Sequence, residues 1–268
     1  MQAYFKELFS REPTEILEGD YYYNTDSEGD QFDEADEAHW LNGRFKSSWD
    51  YQGQQQSRGA DIFKLYDDIT CKVAADGNPF MDIACGPGMG LAPMVIAKNP
   101  GILCLATDAC SRLIKAWRYY INRNLAEHNI SLAQFSALDI PIKDNALDCV
   151  TSNIGVSSTR NGEDGQVAAL KEIYRVLKPG GYFVAVENEW TDHGKIDEVF
   201  RAWGKGNYYL RPTMSWHDKF IAAGFEIESE DKHYFRNLTE NDCDLGESAA
   251  KFSIEIGMKY TLYVARKA

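Results

Sequence analysis

From Pro79 onward the chain alternates between two spacings of apolar residues. "FMDIAC" (80–85) is a short apolar run that ends in glycines, "GLAPMVIAKNP" (90–100) has helical spacing closed by Asn-Pro-Gly, and "ILCLATD" (102–108) is a second buried run that stops at an acid. This predicts a strand, a helix and a strand. "SRLIKAWRYYINRNLAEHN" (111–129) is strongly amphipathic, with Ser111 placed to cap it and Leu113, Ile114, Trp117 and Ile121 on one stripe. "AQFSALD" (133–139) and "ALDCVTSN" (146–153) read as strands separated by the turn "PIKDN". "GQVAALKEIYRVLKPGG" (165–181) reads as a helix with Ala169, Ile173, Val176 and Leu177 inward, ended by a Pro-Gly-Gly turn before the strand "YFVAVE" (182–187). After an irregular stretch the pattern gives a helix at 215–225, a strand at 225–231 and a last strand at 259–267. The acidic stretch between them, 236–253, is expected to be an exposed loop.

Such alternation implies an α/β fold with a mostly parallel sheet, helices on both faces and a final antiparallel pair. Ligands of open sheets of this kind bind at the carboxyl ends of the strands. Upstream, Ile62, Phe63, Leu65, Tyr66 and Ile69 recur at helical spacing, so a helix leads into the core. Residues 1–40 differ, with twelve acidic against two basic residues and the cluster Tyr21 to Tyr23. They read as a solvated arm, with tyrosines able to fold over a ligand, rather than as a core element. Two units follow: an acidic, aromatic arm or cap over 1–59 and one domain over 60–268.

Composition narrows the partners. The 268 residues carry 28 basic and 41 acidic side chains, net −13, which disfavours nucleic acid and anionic membranes and suits a small or cationic substrate. No apolar run approaches the length of a membrane span, and the first twenty residues lack the pattern of a secretory signal, so a cytoplasmic location is expected. The six cysteines show no C-x-x-C spacing and several lie in apolar runs. They are expected to be reduced core residues, with no metal site.

The candidate chemistry lies in "FMDIACGPGMG". A glycine-rich turn between strand and helix lets a ligand approach the backbone and points free N–H groups at it. The dinucleotide fingerprint needs its third glycine at Leu91, and the phosphate loop needs Gly-Lys-Ser/Thr; neither fits. Present instead are Gly86, Gly88 and Gly90, with Asp82 four residues before the first and Asp108 22 residues beyond it at the next strand end. An acid there accepts hydrogen bonds from ribose hydroxyls. Asp82 adds negative charge that favours a cationic group and repels a pyrophosphate. Asp139 ends the following strand.

Together with "LATDACSRLI", "FSALDIPIKDNALDCVTSN" and "ALKEIYRVLKPGGYFVAVE", this loop resembles the class I S-adenosylmethionine-dependent methyltransferases over roughly residues 60–268. The resemblance implies a Rossmann-like seven-stranded sheet and S-adenosylmethionine as cofactor. By position it places Asp108, with Ala109 beside it, on the ribose hydroxyls, and Asp139 on the adenine amino group between Leu138 and Ile140. It sets Ala84, Cys85, Gly86, Pro87 and Gly88 along the methionine half, Asp82 near the ammonium, and Asn153, Ile154 and Gly155 close to the sulfonium. Cys85 departs from the small or polar residue usual there.

Methyl transfer needs in-line positioning, exclusion of water and, for a protonated nucleophile, a base; it demands no fixed motif. The loop "SNIGVSST" lacks the Asn/Asp-Pro-Pro-aromatic pattern of family members that act on exocyclic amines, which with the charge favours a small-molecule O, N or C nucleophile over nucleic acid. Candidate bases are His193, His217, Glu187 and Glu189. His193 is the catalytic candidate carried forward. Trp40, Trp49, Tyr51 and the tyrosine cluster are candidates for a lid, Arg58 for the cofactor carboxylate, and Trp190 and Trp203 for the acceptor pocket. A nicotinamide-dependent oxidoreductase and a non-catalytic cofactor-binding module are the alternative readings.

Overall fold

The computed structural model describes residues 1–23, 60–86, 90–124, 129–159, 161–202, 212–239 and 244–268. Pro87, Gly88, His39, Trp40, Trp49, Tyr51, Arg58, His128, Trp203 and Cys243 lie outside the described residues, as does the acidic stretch beyond residue 23.

The strands are β1 (Glu15–Leu17), β2 (Asp20–Tyr22), β3 (Phe80–Asp82), β4 (Cys104–Asp108), β5 (Ile130–Gln134), β6 (Leu147–Asn153), β7 (Leu177–Trp190), β8 (Phe225–Asn237) and β9 (Gly257–Lys267). They form one sheet in the order β1-β2-β5-β4-β3-β6-β7-β9-β8. Strands β3 to β7 are parallel to their neighbours within that run, and β9 runs antiparallel between β7 and β8. The expected α/β sheet with a final antiparallel pair is therefore present, and the strand order reverses beside β3.

The helices are α1 (Ala3–Lys6), α2 (Ala60–Asp76), α3 (Ala92–Lys98), α4 (Ser111–Asn124), α5 (Gly162–Val176), α6 (His193–Ala202), α7 (Trp216–Ala223) and α8 (Asp244–Lys251). On one face Tyr66 and Ile69 of α2, Met94 and Val95 of α3, and Ile114, Trp117 and Ile121 of α4 bury against Phe80, Cys104 and Leu132. On the other, Ala169, Leu170 and Ile173 of α5 and Trp216 and Phe220 of α7 cover Met81, Phe183 and Tyr263. The two stripes read from the sequence are the two inner faces. Ser215 accepts the Asp218 amide at 3.1 Å and Gly224 closes α7 at φ +101°, so this helix begins and ends on its local signals. No helix among the described residues is long and apolar enough to cross a membrane.

Three expectations need correction. The seven strands β3–β9 make the expected sheet, and residues 1–23, expected as a solvated arm, instead form a hairpin that extends its edge: β2 pairs in parallel with β5, Tyr21 opposite Ala133. Phe5, Tyr22 and Tyr23 are buried, and buried Asp20 accepts both Arg118 Nε at 2.8 Å and Nη2 at 2.6 Å. The Pro-Gly-Gly turn is absorbed into the start of β7, where pairing shifts between Leu147 and Cys149 and Gly180 takes φ +79°. A side chain at Gly181 would press within 2.9 Å of the Lys178 carbonyl, which is why the bulge needs glycine. The expected exposed loop at 236–253 contains α8, whose Ser248 and Ala249 are buried.

Candidate active site

The carboxyl ends of β3, β4, β5 and β6 bring together most of the residues singled out in the sequence. Asp82 ends β3 fully buried, and its Oδ2 accepts the amides of Leu91 at 2.5 Å and Ala92 at 3.1 Å. Its Oδ1 accepts Thr151 Oγ1 at 2.6 Å. Burial drives its pKa up to about 6, against the pull of these donors. The structure thus places Asp82 beneath the glycine loop, where it ties the start of α3 to β6. A Cβ at Gly90 would overlap its carboxylate. Cys85 is buried beside it, donating Sγ to the Asp82 carbonyl at 3.0 Å, and burial lifts its thiol far above the ordinary range. It packs as a small core residue.

Ala84 and Gly86 both take positive φ, 51° and 62°, turning the chain sharply out of β3. Around Gly86 an added Cβ would meet none of the described residues within 4 Å, so it is open on that side among them. Asp108, at the end of β4, reaches the same place: Oδ2 accepts the Gly86 amide at 2.8 Å and Oδ1 accepts the Cys110 amide at 2.9 Å. Its partly exposed carboxylate is thereby fixed between the loop and the first turn of α4. Ala109 is held through its carbonyl by Gln134 Nε2 at 2.7 Å.

Beyond β5, Leu138 is half-buried, Ile140 is buried and Asp139 is exposed. The Ile140 amide donates to Glu172 Oε2 at 3.0 Å, and Arg175 donates to the Ile140 carbonyl at 2.7 Å, so α5 anchors this loop from below. Asp139 is gripped from the other side by Arg11, Nη1 to Oδ1 at 2.9 Å and Nη2 to Oδ2 at 2.5 Å, which holds its pKa below the ordinary carboxylate value.

After β6, Ile154 takes φ +61° and donates its amide to the Val186 carbonyl at 2.8 Å. Gly155 packs against Ala84 so closely that a Cβ would lie 2.7 Å from the Ala84 Cβ. The 153–155 turn and the glycine loop are therefore seated directly on one another. Next to them, Glu187 near the end of β7 is fully buried; Oε2 accepts the Ser157 amide at 3.2 Å, Oε1 has no hydrogen-bond partner among the described residues, and burial raises the pKa to about 8.

The remaining candidates lie farther along. His193 opens α6, half-buried, three residues past β7. His217 pairs on the outer surface with Glu230 at 2.8 Å. Glu189 is engaged by Lys259 at 2.5 Å and by the Trp216 amide at 3.4 Å. Trp190 packs on a small apolar cluster of Ile196, Val199, Ala249 and Ile256, formed where α6 and α8 meet the ends of β7 and β9. Sequence reading missed Thr151, Gln134 and Arg11. The first two alternate correctly on strands but carry no motif, and Arg11 is 128 residues from its partner.

These residues fit S-adenosylmethionine. An open loop face, a fixed carboxylate at the next strand end and a second acid one strand on match a ligand with a ribose and a polar base, and the loop presents no lysine for a pyrophosphate. Residues 56–223 match the model of the ubiE/COQ5 methyltransferase family. A demethylmenaquinone methyltransferase of Listeria monocytogenes is 26% identical over 189 residues, covering 70% of this chain and 73% of that protein. The crystal structure of MccD protein superimposes with a TM-score of 0.57 at 18% identity over 76% of this chain and 96% of its own. That of the [4+2]-cyclase SpnF gives 0.53 at 20% over 78% and 83%. The structural likenesses concern the fold alone, which hosts more than one chemistry.

Proposed function

The chain belongs to the ubiE/COQ5 methyltransferase family, and on that premise we propose that it methylates a ring carbon of a hydroxylated aromatic acceptor of the quinol class. It is an S-adenosylmethionine-dependent methyltransferase acting on small molecules. The single observation that carries the site assignment is the convergence of the glycine loop, Asp108 and the 153–155 turn at the point where strand order reverses beside β3.

When bound, S-adenosylmethionine supplies an electrophilic methyl group on a sulfonium leaving group. Asp108 accepts the ribose hydroxyls and Asp139 the adenine amino group, with Leu138 and Ile140 flanking the ring. The backbone of Ala84 to Gly86 lies along the methionine half, and Asp82 maintains the loop that receives it. Residues 153–155 border the reacting centre. Glu187 would take the acceptor's hydroxyl proton and so make the ring carbon nucleophilic; its Oε1, without a hydrogen-bond partner among the described residues and next to the 153–157 segment, supports this role over that of His193. The ring proton would then pass to water as the acceptor oxygen regains the proton held on Glu187, which restores both the aromatic quinol and the carboxylate. The acceptor class is supported by the name of the Listeria relative.

The test is incubation of the purified protein with S-adenosylmethionine and demethylmenaquinone kept chemically reduced. Appearance of S-adenosylhomocysteine with a ring-methylated product is the expected result. Cofactor binding without ring methylation overturns the acceptor assignment.

A further inference from the structure

The family match begins at residue 56, yet residues 1–23 are built into the cofactor end of the sheet. They track the loop that follows β5 residue by residue. The Ser10 amide donates to the Pro141 carbonyl at 3.0 Å, the Lys143 amide to the Leu8 carbonyl at 2.9 Å, and Phe9 bridges Ile142. Tyr23 donates its amide to Gln134 Oε1 at 3.0 Å, and Gln134 in turn holds the Ala109 carbonyl. The hairpin therefore touches, directly or through one side chain, both segments assigned to the adenosine half.

At the tip of this contact Arg11 meets Asp139 in a two-point fork and lies over the Tyr23 ring, 5.7 Å from its centroid, while the Tyr23 hydroxyl donates to the Arg11 carbonyl at 3.2 Å. The guanidinium is thus itself held, by a buried aromatic residue of β2's end. An isolated ion pair this exposed contributes little to folding. A fork does, however, fix the plane of the carboxylate and keep it ionised, leaving outward lone pairs as acceptors.

We propose that Arg11 is a positioning residue for adenine recognition, and that the N-terminal hairpin is a working part of the adenosine subsite. The inference rests on the placement of Asp139 at the adenine amino group. Arg11 orients the Asp139 carboxylate so that one oxygen faces that amino group, and without it the exposed aspartate swings among rotamers and faces solvent.

The experiment compares two ligands, S-adenosylhomocysteine and S-inosylhomocysteine, which differ at the base: the second presents a carbonyl where the first has its amino group. Their affinities are measured by calorimetry for the wild type, Asp139→Ala and Arg11→Ala. The wild type is expected to favour the adenosyl ligand. Arg11→Ala is expected to lose about tenfold in affinity for it, the worth of a hydrogen bond to a charged group, with the inosyl ligand little changed. Equal weakening of both ligands by Arg11→Ala means a purely structural role and overturns the proposal. So does unchanged or tighter adenosyl binding, which makes the fork a competitor or a bystander. If Asp139→Ala also leaves the preference intact, the placement of Asp139 fails with it. Absence of binding to either ligand by the wild type overturns the site assignment as a whole.

Discussion

Glu187 is the base proposed for the site, and it is fully buried. The described groups that act on it include the amides of Val156 and Ser157 after β6, Lys219 from α7 and Tyr263 from β9, and Lys219 is itself shared with Glu163 at 3.4 Å. None of them offsets the burial that raises its pKa from 4.5 to about 8. As a base it must be ionised, so methyl transfer by the wild type should rise with pH towards about 8. In Glu187→Gln the rate should be lower and flat over that range. The same shift acts on stability with a definite sign. A carboxyl whose folded pKa is raised contributes stability that is present below its unfolded value and lost as pH rises through the folded one. Wild-type stability should therefore fall relative to Glu187→Gln between 4.5 and about 8, measured by denaturant titration. Parallel pH profiles of the two proteins in rate and stability would contradict both statements.

At the scale of elements, the N-terminal hairpin is the part least visible in the sequence. Its acidic composition reads as solvated because the partners of its few apolar residues lie far along the chain: Tyr22 and Tyr23 bury against β5, and Phe9 against Ile142. Asp20 looks like one acid among twelve, yet it is fully buried on Arg118. Removing its charge leaves a guanidinium that is only 12% exposed without its counterion. Asp20→Asn should cost on the order of 3 kcal/mol, the usual cost of breaking a buried pair from one side. Urea unfolding measures this, and a loss below about 0.5 kcal/mol would mean the pair behaves like a surface one. By contrast β3, β4 and the glycine loop were legible, since continuous apolar runs ending in Gly or Asp reflect strands buried on both faces with chemistry at their ends. The bulge at 178–181 was not, because Pro-Gly-Gly serves a turn and a bulge equally well; only pairing with β6 decides between them.

For the whole molecule, the strand order places every element of the site by topology. β3 lies between β4 and β6, so the loop leaving β3 is flanked by Asp108 on one side and the 153–155 turn on the other. Asp82 beneath the loop and Gly155 beside it lock these three strand ends into one rigid floor. What a sequence reader can see is the set of acids and glycines; what makes them a site is this order. The antiparallel pair β8–β9 and helices α6 and α8 extend the same end into the apolar cluster at Trp190.

The cofactor site is decided by calorimetric titration of the wild type and Asp108→Ala with S-adenosylhomocysteine, with NADH as comparison. Saturable binding of S-adenosylhomocysteine is expected, weakened by about 1–3 kcal/mol in the variant by loss of the proposed ribose acceptor, with no heat from NADH. Binding of NADH alone, or equal affinity in a folded Asp108→Ala, would contradict it.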